Sequence, residues 1–145
     1  MIPTTQALKA KGLRVTPQRM AVFEALRSRK DHPSVEMVHE QVRKAFPTIS
    51  LNTVYTTLNA LEEVGLIRRI DAGDSLCRYD GNAVPHLHIV CTGCLRVDDV
   101  ALAAEASAAE MTRQVGKVSG YDVTDYAMYF YGQCPECRSK KEEER

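Results

Sequence analysis

The sequence predicts an α+β protein: an N-terminal winged helix-turn-helix domain followed by a smaller C-terminal α/β domain. Three observations predict it. Apolar residues recur at helical spacing from Val22 to Leu61, in segments punctuated by Pro33 and Pro47. A strand-turn-strand pattern rich in arginine follows over residues 66–80. Two Cys-x-x-Cys pairs, Cys91/Cys94 and Cys134/Cys137, then bracket a stretch of mixed helix and strand character. The expected division is residues 1–80, a hinge at 81–85, and residues 86–145.

The helices can be read in order. Thr16 before Pro17 is an N-cap followed by a first-turn proline, and the helix behind it buries Val22, Phe23 and Leu26. Pro33-Ser34 opens the next, with Val35, Val38, Val42 and Phe46 on one face, and Pro47 ends it. Ser50 caps a third, whose apolar stripe is Leu51, Val54, Leu58 and Leu61, and Gly65 suits its exit. Two helices joined by Pro47-Thr48-Ile49 have the helix-turn-helix layout. The opposite face of the second shows Asn52, Tyr55, Thr56 and Asn59, groups able to hydrogen-bond base edges. A plain bundle with a solvated face has the same apolar pattern, but such faces usually carry Glu and Lys.

The hairpin is expected as Leu66–Asp71 and Ser75–Asp80 around Ala72-Gly73-Asp74, with Arg68, Arg69 and Arg78 along it. Such a wing can lie along phosphates without reading sequence. After the hinge, His86–Val90 reads as a strand, Cys91 to Cys94 as a knuckle and Leu95–Asp98 as the returning strand. An alanine-rich helix is expected over Val100–Val115, then strands at Tyr121–Thr124 and Tyr126–Tyr131, and a frayed charged tail at Ser139–Arg145.

Composition sets the limits. The 145 residues are 44% hydrophobic and 26% charged, which excludes wholesale disorder. No apolar run is long enough for a transmembrane helix, and MIPTTQALKAKG lacks a signal-peptide layout, so the expected location is the cytoplasm. The net charge of zero hides a dipole: residues 1–80 carry 12 Lys/Arg against 9 Asp/Glu, and residues 81–145 carry 7 against 10. The first 30 residues hold seven bases and one acid, Glu24, which suits either an anionic partner or a solvated helix face.

Two Cys-x-x-Cys knuckles supply the four thiolates of a tetrahedral zinc site, and in a reducing compartment that pattern favours a structural Zn²⁺ over disulfides. Cys77 stands apart and reads as a small hydrophobe of the wing. His86 and His88 lie two apart on a strand and so share one face, whereas Cys91 falls on the other. Alternation therefore predicts two separate metal sites, one per side, the alternative being that the two histidines are exposed strand residues. Asp80 and Asp98 stand close enough in sequence to add oxygen ligands, and a His/Asp set suits iron(II), manganese or zinc. His32, in Asp-His-Pro, reads as a turn residue on its own, and His39 as structural or solvent-exposed.

Several motifs together resemble the ferric uptake regulator family. They are Gly12-Leu13-Arg14-Val15-Thr16-Pro17-Gln18-Arg19, Asn52-Thr53-Val54-Tyr55, Gly65-Leu66-Ile67, the His-x-His-x-x-Cys-x-x-Cys run from His86, and Tyr131-Gly132-x-Cys134-x-x-Cys137. The resemblance runs from about Leu8 to Cys137. It implies a homodimeric, metal-dependent repressor on pseudo-palindromic double-stranded DNA, with residues 1–80 as the DNA-binding domain and 86–145 as the dimerisation and metal-binding domain. Within the family the chain is most similar to the peroxide-responsive branch. That similarity implies a regulatory Fe²⁺ or Mn²⁺ held by His32, Asp80, His86, His88 and Asp98, with His32 or His86 as the peroxide-sensitive residue. It further implies DNA contacts from Asn52, Thr53, Tyr55 and Thr56 to bases and from Arg14 and Arg19 to the backbone or minor groove. The neighbouring alternative is an iron- or manganese-uptake regulator with metal as simple co-repressor. A metal hydrolase would leave the helix-turn-helix and basic wing without a role, so an enzyme is not expected; a thiol redox protein is the further alternative, which a tightly held stoichiometric zinc would exclude because bound thiolates are occupied.

Overall fold

The computed structural model describes residues 2–71, 73, 77–101 and 105–145, with the side chains of 105–107 excepted. It divides into two compact units, Met1–Ala83 and Val84–Arg145.

The first unit holds α1 (Thr4–Ala10), α2 (Pro17–Arg27), α3 (Val35–Arg43), α4 (Leu51–Glu63) and a hairpin of β1 (Arg68–Asp71) and β2 (Cys77–Asp80). The starts of α2, α3 and α4 are set by side-chain caps. The hydroxyl oxygens of Thr16, Ser34 and Ser50 accept from the amides of Arg19 (3.1 Å), Met37 (3.3 Å) and Thr53 (3.0 Å). Each such cap is worth about 1 kcal/mol. The core joins Leu8, Val22, Phe23, Leu26, Val38, Val42, Val54, Leu58, Leu61 and Tyr79. Cys77 packs half-buried against this cluster, as a small hydrophobe would. The α3–α4 turn is held by His39, whose Nε2 donates to the Ile49 carbonyl over 2.8 Å, so this histidine is a structural one.

β1 and β2 are antiparallel with Arg68 opposite Asp80 and Arg69 opposite Tyr79. The strands are shorter than the sequence suggests, and of the expected turn only Gly73 lies among the described residues. The Tyr79 amide donates to the Pro33 carbonyl (2.9 Å), which stitches the wing to the loop before α3. Gly81 then passes so close to the end of α2 that a Cβ there would sit 2.9 Å from the backbone carbon and oxygen of Leu26.

The second unit is a three-stranded sheet in the order β4-β3-β5, with β3 (Leu87–Cys91) central, β4 (Val97–Val100) antiparallel to it and β5 (Tyr129–Gly132) parallel. Two helices complete it, α5 (Glu105–Ser119) and α6 (Pro135–Glu143). Here the sequence expectations need correction. The returning strand starts at Val97, because Leu95 takes a left-handed conformation (φ 62°) that lengthens the knuckle. Val100 ends this strand instead of starting the helix, Tyr121–Thr124 is not a strand, and the aromatic strand contracts to Tyr129–Gly132. The tail is helical: Cys134 caps it with its sulfur, Pro135 occupies the first turn, and Glu136 and Lys140/Lys141 complement its dipole.

Leu58 and Tyr55 test this account on one helix. Leu58 is fully buried, so Leu58→Ala should cost about 2–5 kcal/mol in chemical denaturation. Tyr55 is 41% exposed, so Tyr55→Ala should cost under about 1 kcal/mol in the same measurement.

Candidate metal centres and nucleic-acid face

The knuckle between β3 and β4 brings Cys91 and Cys94 beside Cys134 and Cys137 at the start of α6. The four sulfurs lie within 4.8 Å of one another. Cys94 and Cys134 are 3.9 Å apart, against the edge of about 3.8 Å that a tetrahedron of Zn–S bonds near 2.3 Å requires. The donor set therefore fits zinc. Backbone amides prepare it: those of Cys134 (3.2 Å) and Gly93 (3.4 Å) donate to the Cys91 sulfur, and that of Cys137 donates to Cys134 (3.4 Å).

Those donors set the protonation pattern of the sulfurs. Donation from the Cys134 amide, helped by the amides of Cys94 and Gly93, pulls the Cys91 thiol down to about 6 from 9.0. Cys137, held as a hydrogen-bonding thiol toward Cys134 and Cys91, is pushed up to about 12. In the metal-free protein the Cys91 contribution to stability is therefore complete above the ordinary thiol value and is lost as pH falls through about 6. Cys137 contributes fully below the ordinary value, and its contribution is lost as pH rises through about 12.

A second set of donors is divided between the two units. In the first, His32 is buried with a left-handed backbone (φ 50°), a strained conformation of the kind that clusters at functional sites. Its Nε2 lies 3.2 Å from Oδ2 of buried Asp80, whose Oδ1 accepts from the Asn82 amide (2.8 Å). The Tyr79–Pro33 bond brings this pair together, since it joins the residues next to each in sequence. The loop is braced further by Arg29, which makes a bidentate pair with Asp31 (2.6 and 2.8 Å) and donates to Gln41 (3.2 Å).

In the second unit, His86 and His88 share one face of the sheet, their rings 4.3 Å apart. Asp99 joins them: its Oδ1 lies 2.8 Å from Nε2 of His86 and 3.4 Å from Nε2 of His88. The hydrogen-bond network assigns the His86 tautomer. Nδ1 lies 2.7 Å from the Val84 carbonyl, an acceptor only, so Nδ1 carries the proton and a neutral ring turns its Nε2 lone pair toward Asp99. A lone pair facing a carboxylate oxygen is stable only with a proton or a cation between them. An imidazole backed by a carbonyl and converging with a carboxylate is a common metal-ligand arrangement.

Asp98, the acid expected at this position, points elsewhere. It stands opposite Ile89, whereas Asp99 stands opposite His88. Asp98 is on the other side of the sheet and pairs with Arg96 (2.8 Å), which also reaches Glu136. The carboxylate that the structure brings to the two histidines is therefore Asp99. The cause is the long knuckle, which shifts the returning strand. Pairing His88 across the hairpin would have identified Asp99, had the left-handed Leu95 been foreseen.

On α4, Asn52, Tyr55 and Thr56 are exposed and Thr53 is half-buried. Thr53 is engaged with Ser50 (2.8 Å), and the Thr56 hydroxyl donates to the Thr53 carbonyl (3.1 Å). Arg14 is exposed, but Arg19 folds back to donate to the Arg14 carbonyl (2.6 Å). Arg69, read from the sequence as wing decoration, instead reaches back onto α4 and donates to Asn59 (2.7 Å). Among the described residues no helix is long and apolar enough to cross a membrane.

Comparison with known proteins follows the same lines. Residues 10–131 match the model of the ferric uptake regulator family. The peroxide-responsive repressor PerR of Staphylococcus aureus (strain Mu50) is 33% identical over 134 residues, spanning 92% of this chain and 88% of that protein. The peroxide stress regulator of Campylobacter jejuni superposes with a TM-score of 0.74 at 33% identity, covering 92% of this chain and 98% of that one. The ferric uptake regulator of Helicobacter pylori, described as having three functional metal binding sites, superposes with a TM-score of 0.74 at 25% identity, covering 92% and 88%.

Two measurements probe the sulfur cluster. A Cβ on Gly93 would lie 2.9 Å from the Cys137 sulfur, so Gly93→Ala should weaken zinc retention against a chelator at least about tenfold without removing a ligand. The logarithm of the apparent zinc affinity should fall more steeply with acidification below about pH 6, by one proton, as Cys91 begins to compete for its own proton. A zinc competition titration across that range reads this slope.

Proposed function

This chain belongs to the ferric uptake regulator family of metal-responsive transcription regulators, and we propose that it is a peroxide-sensing repressor. Proteins of this family are dimeric DNA-binding regulators and not enzymes. The proposed regulatory ligands are His32, Asp80, His86, His88 and Asp99, drawn from both units of one chain. The proposed structural ion is zinc on Cys91, Cys94, Cys134 and Cys137. The observation that carries the reading is the His86–Asp99 pair backed by the Val84 carbonyl, with His88 beside it.

The residues then have distinct tasks. Cys91, Cys94, Cys134 and Cys137 fix the β3–β4 knuckle to α6. Val84 orients the His86 ring through Nδ1, and Asn82 orients the Asp80 carboxylate. Two imidazoles and one carboxylate on the second unit, with one of each on the first, form a nitrogen-and-oxygen set suited to iron(II) or manganese(II). Ligands shared between the units would favour one arrangement of them, and binding would be transmitted to DNA as a coupling free energy. Ferrous iron, when bound, would promote cleavage of the O–O bond of hydrogen peroxide next to a ligand imidazole, a reaction manganese does not support. Peroxide would be the two-electron oxidant: one of its oxygens would enter a ring C–H bond of His32 or His86 and the other would leave as water, after which the ring would hold the ion poorly and a pseudo-palindromic operator would be released. Asn52, Thr53, Tyr55 and Thr56 are the proposed base-reading group, with Arg14 and Arg19 on phosphates or the minor groove. The proposed location is the cytoplasm.

Mass spectrometry tests the sensor chemistry. Anaerobic iron(II)-loaded protein given stoichiometric peroxide should gain one oxygen on the peptide containing His32 or on that containing His86, and manganese-loaded protein should not. Unmodified peptides in protein that still binds DNA with iron would mark a metal-uptake regulator instead. The ligand assignment has its own check. Asp99→Asn should lower manganese affinity about 10–100-fold in a competition assay, the scale of losing a group that holds a metal ligand, while Asp98→Asn should leave it within about threefold. The opposite ranking would return the assignment to Asp98.

A further inference from the structure

Arg69 lies in the wing strand β1, opposite Tyr79, yet its guanidinium is turned into the protein. Its Nη2 donates to Oδ1 of Asn59 over 2.7 Å. Its Nε lies 3.3 Å from Oε2 of Glu62, a charge contact without hydrogen-bond alignment. Tyr55 stands one turn before Asn59 on the same helix and is 41% exposed. The other side of the guanidinium rests 5.7 Å from the centre of the Tyr79 ring, which is itself buried in the core.

Tyr55, Asn59 and Glu62 are spaced four and three apart, so they form one line along α4. Arg69 runs beside that line and touches two of its members, Asn59 and Glu62. Only a planar group with several fixed donors can do this; the point charge of a lysine cannot stack on Tyr79 and bridge two acceptors at once. The contacts are within the first unit and join its two candidate DNA-facing elements, the wing and α4.

We propose that Arg69 is a positioning residue for DNA reading, which ties the wing to α4 through Asn59 and Glu62 and so holds in place the helix face that presents Tyr55 to a base. Its charge is engaged inside the protein, so it does not serve as a phosphate contact, unlike the wing role its sequence position suggests. The inference rests on the reading of α4 as the element that enters DNA. Disturbing Arg69 should therefore erode discrimination between sequences more than general attraction to the phosphate backbone, because misplaced base contacts lose specificity while lost phosphate contacts lose affinity uniformly.

The test uses zinc-replete, manganese-loaded full-length protein and two duplexes of equal length. One is selected from random sequence by the wild-type protein, and the other is its scramble. Arg69→Met keeps the aliphatic stem and removes the guanidinium. It should lower affinity for the selected duplex about tenfold, the scale of one impaired base contact, with the scrambled duplex unchanged within about twofold. The slope of log affinity against log salt should stay as in wild type, whereas losing a phosphate contact would reduce it by about one. Arg69→Lys should not rescue, and the double variant Asn59→Ala/Glu62→Ala should reproduce the loss with Arg69 intact. Thermal unfolding monitors integrity in parallel.

Retained affinity in Arg69→Lys with a reduced slope in Arg69→Met would make Arg69 a phosphate contact and overturn the proposal. So would equal losses on both duplexes accompanied by a lowered melting temperature, or no loss at all. Tyr55→Ala separates the two levels of the argument. If it keeps full preference for the selected duplex, the reading of α4 fails. If it loses preference while Arg69→Met does not, the positioning role alone fails.

Discussion

Side-chain alternation along β3 is the constraint on which the second unit depends. A strand turns successive residues to opposite faces, so His88 and Cys91, three apart, cannot serve one site. The imidazoles go to the face shared with Asp99, and the Cys91 sulfur goes to the end shared with Gly132, Cys134 and Cys137. One strand thus separates soft sulfur donors from harder nitrogen and oxygen donors, two sets that suit different ions. A one-residue slip in the β3–β4 pairing would exchange Asp98 and Asp99 and place the Arg96–Asp98 pair among the histidines.

The first unit solves a different problem: holding a buried histidine and a buried aspartate together at the edge of a helical core. No regular element contains both. A single backbone bond, from the Tyr79 amide to the Pro33 carbonyl, fixes the β2 strand to the His32 loop. The left-handed backbone of His32 costs stability, of order 1–3 kcal/mol for such conformations, and the surrounding structure has to offset it. The bidentate Arg29–Asp31 pair and the close passage of Gly81 against α2 are two of the features that do so. A pair so braced is held near one geometry, which would reduce the ordering cost of binding the proposed ion.

Arginines divide between tethers and charges in a way their sequence positions do not reveal. Arg19, Arg29, Arg69 and Arg96 are each committed to protein partners. The basic character of the N-terminal half is therefore only partly available to an anionic partner. Arg14 remains at the surface beside the folded-back Arg19, so in the proposed reading attraction to DNA and rigidity of the reading face fall to different residues of the same type.

Features with local causes are legible in the residues alone. Thr16, Ser34 and Ser50 cap helices because each precedes a helical apolar stripe, and capping needs only residues three apart. The two Cys-x-x-Cys knuckles announced a four-sulfur cluster because a chelating turn is encoded within four residues. The parity of His86, His88 and Cys91 followed from the same local geometry. Tertiary structure decided whatever depended on pairing across a gap. Asp99 in place of Asp98 followed from the length of a knuckle that Leu95 extends by turning left-handed. The helical tail followed from a cap supplied by Cys134, which the sequence marked only as a candidate ligand. The place of His32 beside Asp80, and of Arg69 along α4, depends on contacts between residues 48 and ten positions apart, respectively, and no periodicity along the chain encodes those.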